Sequence, residues 1–203
     1  MNLTRFTAFG AGLAIVAASI VGTSTASSAL TGGQTEGLMC EPSDLGSPQA
    51  NFAFATGTGH ITMPDGNALF SWGYSTGTHA FQLPGPILCV RQNQKVTITL
   101  TNTLDEDTSL VFPGQQDVQA DGVPSVPQLS GDRVTSLAQT AAKNGGQVTY
   151  SFTATKPGTY LYESGTDQGK QLDMGLVGAL VVRPGSHPDM AYDPIAGHPA
   201  VGS

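Results

Sequence analysis

The sequence predicts an all-β protein, a Greek-key β-sandwich, and three observations predict it. Short segments alternate apolar and polar residues with a period of two, most regularly at Lys95–Thr101 and Gln147–Thr153. Turn formers punctuate the chain, with 26 Gly and 13 Pro, while Thr, Ser, Val and Gln recur between them. Only 11% of residues are charged, so long amphipathic helices with a charged solvent face are not expected. A length of 203 residues with 39% apolar content fits one domain plus extensions, and two sandwiches would be cramped.

At the N-terminus Arg5 precedes an apolar run over 6–22, followed by small residues at Ser24-Thr25-Ala26 and Ser27-Ser28-Ala29. This reads as a signal peptide over 1–29. The run is short for a spanning helix and contains three Gly, which weighs against a retained anchor. Cys40 follows Gly37-Leu38-Met39 too far downstream to be a lipidation site. The expectation is export to a periplasmic, cell-surface or extracellular location, with no membrane attachment after cleavage. In an oxidising compartment, the two cysteines, Cys40 and Cys89, are expected to form one disulfide; two buried free thiols are the alternative.

Residues 30–50 are Gly/Ser/Pro-rich and read as an extended lead-in. Phe52, Phe54 and Ile61 then lie among small polar residues, and Pro64-Asp65-Gly66-Asn67 is a strong turn before 68–74, which suggests a hairpin. Trp72, the sole tryptophan, reads as a core filler. Pro84-Gly85-Pro86-Ile87-Leu88-Cys89-Val90 leads through Gln92-Asn93-Gln94 into a strand with Val96, Ile98 and Leu100 on one face. Then come Ser109-Leu110-Val111-Phe112-Pro113-Gly114 and the loop Asp121-Gly122-Val123-Pro124-Ser125-Val126-Pro127-Gln128. Residues 129–146, rich in Gly, Asp, Asn and Ala, read as a mobile surface insertion. Val148, Tyr150 and Phe152 point inward from the next strand. Pro157-Gly158 opens the strand Thr159-Tyr160-Leu161-Tyr162-Glu163, on which Tyr160 and Tyr162 share the buried face, and Leu161 and Glu163 share the other. After Ser164-Gly165-Thr166 and a short loop, Gly175-Leu176-Val177-Gly178-Ala179-Leu180-Val181-Val182 is a buried closing strand. Residues 184–203 hold four prolines and no periodicity, as a tail or linker would.

Taken together, these segments resemble the first cupredoxin (plastocyanin-like) domain of multicopper oxidases. There the strand at 109–114 reads Ser-(Ile/Leu)-His-Trp-His-Gly, and the one at 158–166 reads Gly-Thr-Tyr-Trp-Tyr-His-Ser-His-Thr, followed by Gly-Leu-Tyr-Gly-Ala-Leu. The loop at 121–128 is similar to the family's Asp-Gly-Val-Pro-x-Val-(Thr/Ser)-Gln. The resemblance implies a cupredoxin-type sandwich over 51–183, with copper as the family cofactor and further cupredoxin domains as partners. It also places the family's four copper-binding histidines at Val111, Pro113, Glu163 and Gly165. These are degenerate positions, since a soft, imidazole-preferring copper ion is not held by one carboxylate.

No other constellation replaces them. His60, His79, His187 and His198 are scattered, and no His-x-His occurs. Ser109 and Ser164 lack a neighbouring His or Asp partner, so no nucleophilic triad is read and no catalytic residue is assigned. Asp167, Glu163 and Asp173 cluster around a loop and read as a solvated strand end rather than an acid/base pair. With a net charge of −7 and no Lys/Arg cluster, nucleic acid is not an expected partner. Two functional expectations follow. One is an exported, copper-free structural domain whose oxidoreductase chemistry depends on further domains. The other is a free-standing copperless cupredoxin that binds a protein or small-molecule partner.

Overall fold

A computed structural model describes Cys40, residues 46–76 and residues 81–185. The expected signal peptide at 1–29, most of the expected lead-in, His79, His187, His198 and the residues beyond Gly185 lie outside the described residues. In chain order the elements are β1 (Gln49–Thr62), β2 (Ala68–Thr76), β3 (Leu88–Arg91), β4 (Lys95–Thr101), β5 (Gln119–Ala120) and β6 (Val123–Pro124). They continue with β7 (Gln128–Ser130), β8 (Arg133–Ser136), β9 (Gln147–Thr153), β10 (Gly158–Glu163), α1 (Gln168–Met174) and β11 (Val177–Arg183).

Six strands form one sheet in the order β2-β1-β4-β9-β5-β6, and three form the other in the order β10-β11-β3. The expected hairpin is present: β1 pairs antiparallel with β2 around the 63–67 turn, where the Asp65 carboxylate accepts from the backbone N–H and side-chain amide of Asn67. On its other side β1 runs parallel to β4, and β3 likewise runs parallel to β11. A parallel neighbour cannot be reached by a tight turn, so the chain crosses between the sheets, which is the Greek-key connection.

Period-two alternation places one side of each strand in a single core. From the large sheet, Phe52, Phe54, Val96, Ile98, Leu100, Val148, Tyr150 and Phe152 face inward, to meet Leu88, Val90, Tyr162, Leu180 and Val182 from the small one. Phe54, Tyr74 and Tyr162 form a triangle of rings with centroids 5.2 to 5.6 Å apart, joining the two sheets. Trp72 is buried, as expected of a core filler. Tyr162 is buried and Tyr160 packs against the core, whereas Leu161 is 49% exposed, so β10 has the expected facing. Cys40 and Cys89 are disulfide-bonded with Cα atoms 5.4 Å apart, fastening the lead-in to β3.

Two stretches differ from the expectation. The loop at 121–128 begins as a hairpin: Asp121 and Gly122 both take positive φ (50° and 82°), the two-residue turn that matches strand twist, between β5 and β6. The surface insertion at 129–146 is also corrected. Its first part is an exposed hairpin of β7 and β8, but Ser136, Ala138 and Ala141 are buried. The reason is backbone satisfaction and small side chains. Ala141 exchanges two hydrogen bonds with Thr108 (3.2 and 2.8 Å), and the Tyr150 hydroxyl donates to the Gln139 carbonyl, so this segment closes one end of the sandwich.

Candidate functional site

The four family ligand positions lie on two chain segments that the fold brings together. At the last residue of β10, on the side away from β11, the Val111 N–H donates to the Glu163 carbonyl (2.9 Å) and the Glu163 N–H donates to the Val111 carbonyl (3.1 Å). Leu110 and Phe112 are buried, so Val111 and Pro113 project the other way, outward, as Leu161 and Glu163 do from β10. Gly165 fits into the same junction. A β-carbon on it would lie 2.7 Å from Val111 Cγ1, 3.0 Å from Ser109 Oγ and 3.3 Å from Leu137 Cβ. Val111, Glu163 and Gly165 therefore form one packed joint, and exposed Pro113 stands two residues away.

Under this joint is a network of hydroxyls that the sequence did not announce. The Ser164 and Thr108 hydroxyls donate to Gln171 Oε1 (2.6 and 2.8 Å), and Gln171 Nε2 donates to the Asp107 carbonyl (2.9 Å). The hydroxyls of Ser109 and Ser136 are 2.9 Å apart, and that of Thr166 lies 3.0 Å from each. Gln171 is 1% exposed although it belongs to a short helix in a polar stretch. Periodicity could not have found it; the left-handed Gly175 that stops α1 is the one local signal of a helix there.

These hydroxyl and amide groups serve one another. Asp167, at φ 38°, begins α1 and Asp173 lies near its other end, both exposed, so the acidic residues flank the helix instead of converging. Glu163 is half-buried, and its carboxylate makes a long contact to Gln168 Nε2 (3.5 Å). His60 lies on the β1–β2 hairpin, its ring edge-on to Phe70 at 5.4 Å, with no ligand partner. Among the described residues, no three His, Cys, Asp or Glu side chains come together to hold a metal ion.

Along one side of the joint runs an open cleft of about 560 Å³, lined by Arg133, Val134, Ser136, Leu137, Gly165 and Gln168 among others. Leu129, Val134, Leu137 and Leu161 are 43 to 64% exposed, so apolar side chains stand in solvent on this side beside polar Arg133, Asp167 and Gln168.

The family's copper does not fit these residues. Of the four positions only Glu163 ends in a donor atom, and Val111 Cγ1 occupies the space an imidazole from position 165 would need.

A family model described as multicopper oxidase matches residues 74–187. Among curated relatives, the chain is 31% identical over 119 residues to a laccase, abr2, of Aspergillus fumigatus, covering 59% of this chain and 19% of that protein. It is 31% identical over 111 residues to copper resistance protein A of Pseudomonas syringae pv. tomato, covering 55% and 16%. The chain thus spans less than a fifth of the length of these relatives. In fold it is similar to a multi-copper oxidase from Pseudomonas Thermotolerans, with a TM-score of 0.55 and 23% identity over 68% of this chain and 30% of that one. It is similar also to a copper nitrite reductase from Nitrosomonas europaea, with a TM-score of 0.52 and 19% identity over 70% and 44%. The alternating strands, the two-sheet core and the matched span of 74–187 place this chain in the multicopper oxidase family, as one of its cupredoxin domains.

Proposed function

We propose that this domain is a copper-free, structural member of its family. On this reading it is exported, holds no metal of its own, and packs its ligand-side face against a further cupredoxin domain, which supplies any oxidoreductase chemistry.

The observation that carries the reading is the Val111–Gly165 contact. Loss of a ligand alone leaves a hole, but here the methyl of Val111 fills the space against a residue with no side chain, and the paired backbone of Glu163 holds the two together. The positions are packed as a joint. Support for a neighbour domain comes from the exposed Leu161, Leu137 and Val134 around that joint, and from relatives several times longer than this chain. The disulfide agrees with export, because such bonds persist in oxidising compartments.

Elemental analysis tests the reading. Protein refolded with copper(II) and desalted is expected to retain far less than one copper per chain, with no visible absorption band. Stoichiometric copper that is lost on Glu163→Ala would overturn it.

A further inference from the structure

The hairpin of β7 and β8 belongs to neither large sheet. It is fastened at its root to the segment after β10, through the Ser136–Thr166 bridge and a hydrogen bond from the Leu137 N–H to the Gly165 carbonyl (2.8 Å). The cleft of about 560 Å³ lies between the two, with Arg133, Val134 and Leu137 on the hairpin wall and Gly165, Asp167 and Gln168 on the other. That volume is within the range of small-molecule sites.

Three groups in this cleft are unused by the fold. Neither the Arg133 guanidinium nor the Asp167 carboxylate is in an ion pair, since the one such pair among the described residues is Lys170 with Glu106. Lys170 senses the Asp167 charge but is held by Glu106. Gly165 is buried, and its N–H finds no acceptor among the described residues, although its carbonyl is bonded. A buried backbone donor without a partner is rare, because leaving it unpaired costs about as much as a lost hydrogen bond. The cleft therefore offers a cation and a backbone donor, a separate anion, and two apolar side chains.

We propose that this cleft binds a small zwitterion with an apolar body, a dipeptide of apolar residues. Its carboxylate lies on the Arg133 guanidinium and the Gly165 N–H, its ammonium group on Asp167, and its side chains against Val134 and Leu137. The guanidinium fork matches a carboxylate in shape as well as charge. A simple carboxylic acid would bring its charge beside Asp167, and a simple amine would bring its charge beside Arg133, so the cleft selects a ligand that carries both. Val134 and Leu137 also stand on the face assigned to a neighbour domain. A neighbour there would roof the cleft, and pockets are common at such boundaries, but both walls come from this chain, so the site does not rest on that reading.

Titration of the full chain with leucyl-leucine, followed by calorimetry and by the backbone amide resonances, tests the proposal. Saturable one-to-one binding with a Kd below about 1 mM is expected, with the Gly165 amide signal shifting as the ligand is added. Arg133→Gln, or amidation of the dipeptide's carboxylate, should weaken binding at least about tenfold. Asp167→Asn, or acetylation of its amine, should do the same at the other end. Both substituted positions are exposed, and asparagine tolerates the left-handed backbone of 167 (φ 38°), so melting temperatures should not change. Lys95→Gln, which removes an exposed cation on β4, should leave binding intact. A Kd above about 1 mM would overturn the proposal. So would a capped dipeptide that binds as well as the free one, a Gly165 signal that does not move, or a loss shared by Lys95→Gln. Copper content plays no part in this test, so its result and that for the proposed function are independent.

Discussion

Gly165 has no room for a β-carbon, and the obstacle is a side chain that took a ligand's place. Gly165→Ala puts a methyl 2.7 Å from Val111 Cγ1 and should cost about 1–3 kcal/mol of stability, the usual price of overpacking. The same change in a Val111→Ala background should cost less, and a double-mutant cycle by chemical denaturation is expected to give a coupling of at least about 0.5 kcal/mol. Additive effects would mean that the two residues are not interlocked. Residue identities at the four positions were legible in the sequence, because the surrounding motifs fix their register. The interlock was not, since it depends on how far the Val111 methyl reaches across a bridge between segments more than 50 residues apart.

Among elements, strands that alternate strictly were legible: β4 and β9 bury the expected residues, as does β10. β2 is buried on both faces from Ser71 to Ser75, which blurs its alternation, because Phe81 covers the side turned away from the core. The pairing of β10 with β11 carries a sharper demand. Tyr162 and Gly178 are opposite one another, the Tyr162 hydroxyl donates to the Pro86 carbonyl (2.6 Å), and a β-carbon at 178 would fall on that hydroxyl and ring. Gly178→Ala is therefore expected to destabilise by about 3 kcal/mol, the top of the overpacking range. Gly169→Ala, in α1 with open space around it, should be neutral or stabilising by up to about 1 kcal/mol. Thermal or urea unfolding of the pair checks the contrast. Equal effects would refute the cradle. The hairpin of β5 and β6 carries its own sequence signal, Asp-Gly between extended residues.

For the molecule as a whole, three devices stabilise the sandwich: the aromatic triangle between the sheets, the hydroxyl network at one end, and the disulfide. That bridge closes a loop of 49 residues, for which chain entropy gives about 4 kcal/mol at most. Alkali should be the weak side of this core. Burial pushes the Tyr74 and Tyr150 hydroxyls well above the ordinary tyrosine range, while in the unfolded chain both titrate near 10. Their contribution is thus fully present below about pH 10 and is lost as pH rises toward the folded values, at about 1.4 kcal/mol per pH unit for each hydroxyl. Denaturation curves at a series of pH values should show this decline, lessened in Tyr150→Phe above about pH 10 even though that variant is less stable at neutrality. The joint at Val111 and Gly165 has a historical corollary. A lineage that placed an imidazole at position 165 first would pass through an intermediate overpacked against valine, whereas replacing Val111 first would avoid that cost. The order of steps is biased by volume, and the contact favours one of the two routes.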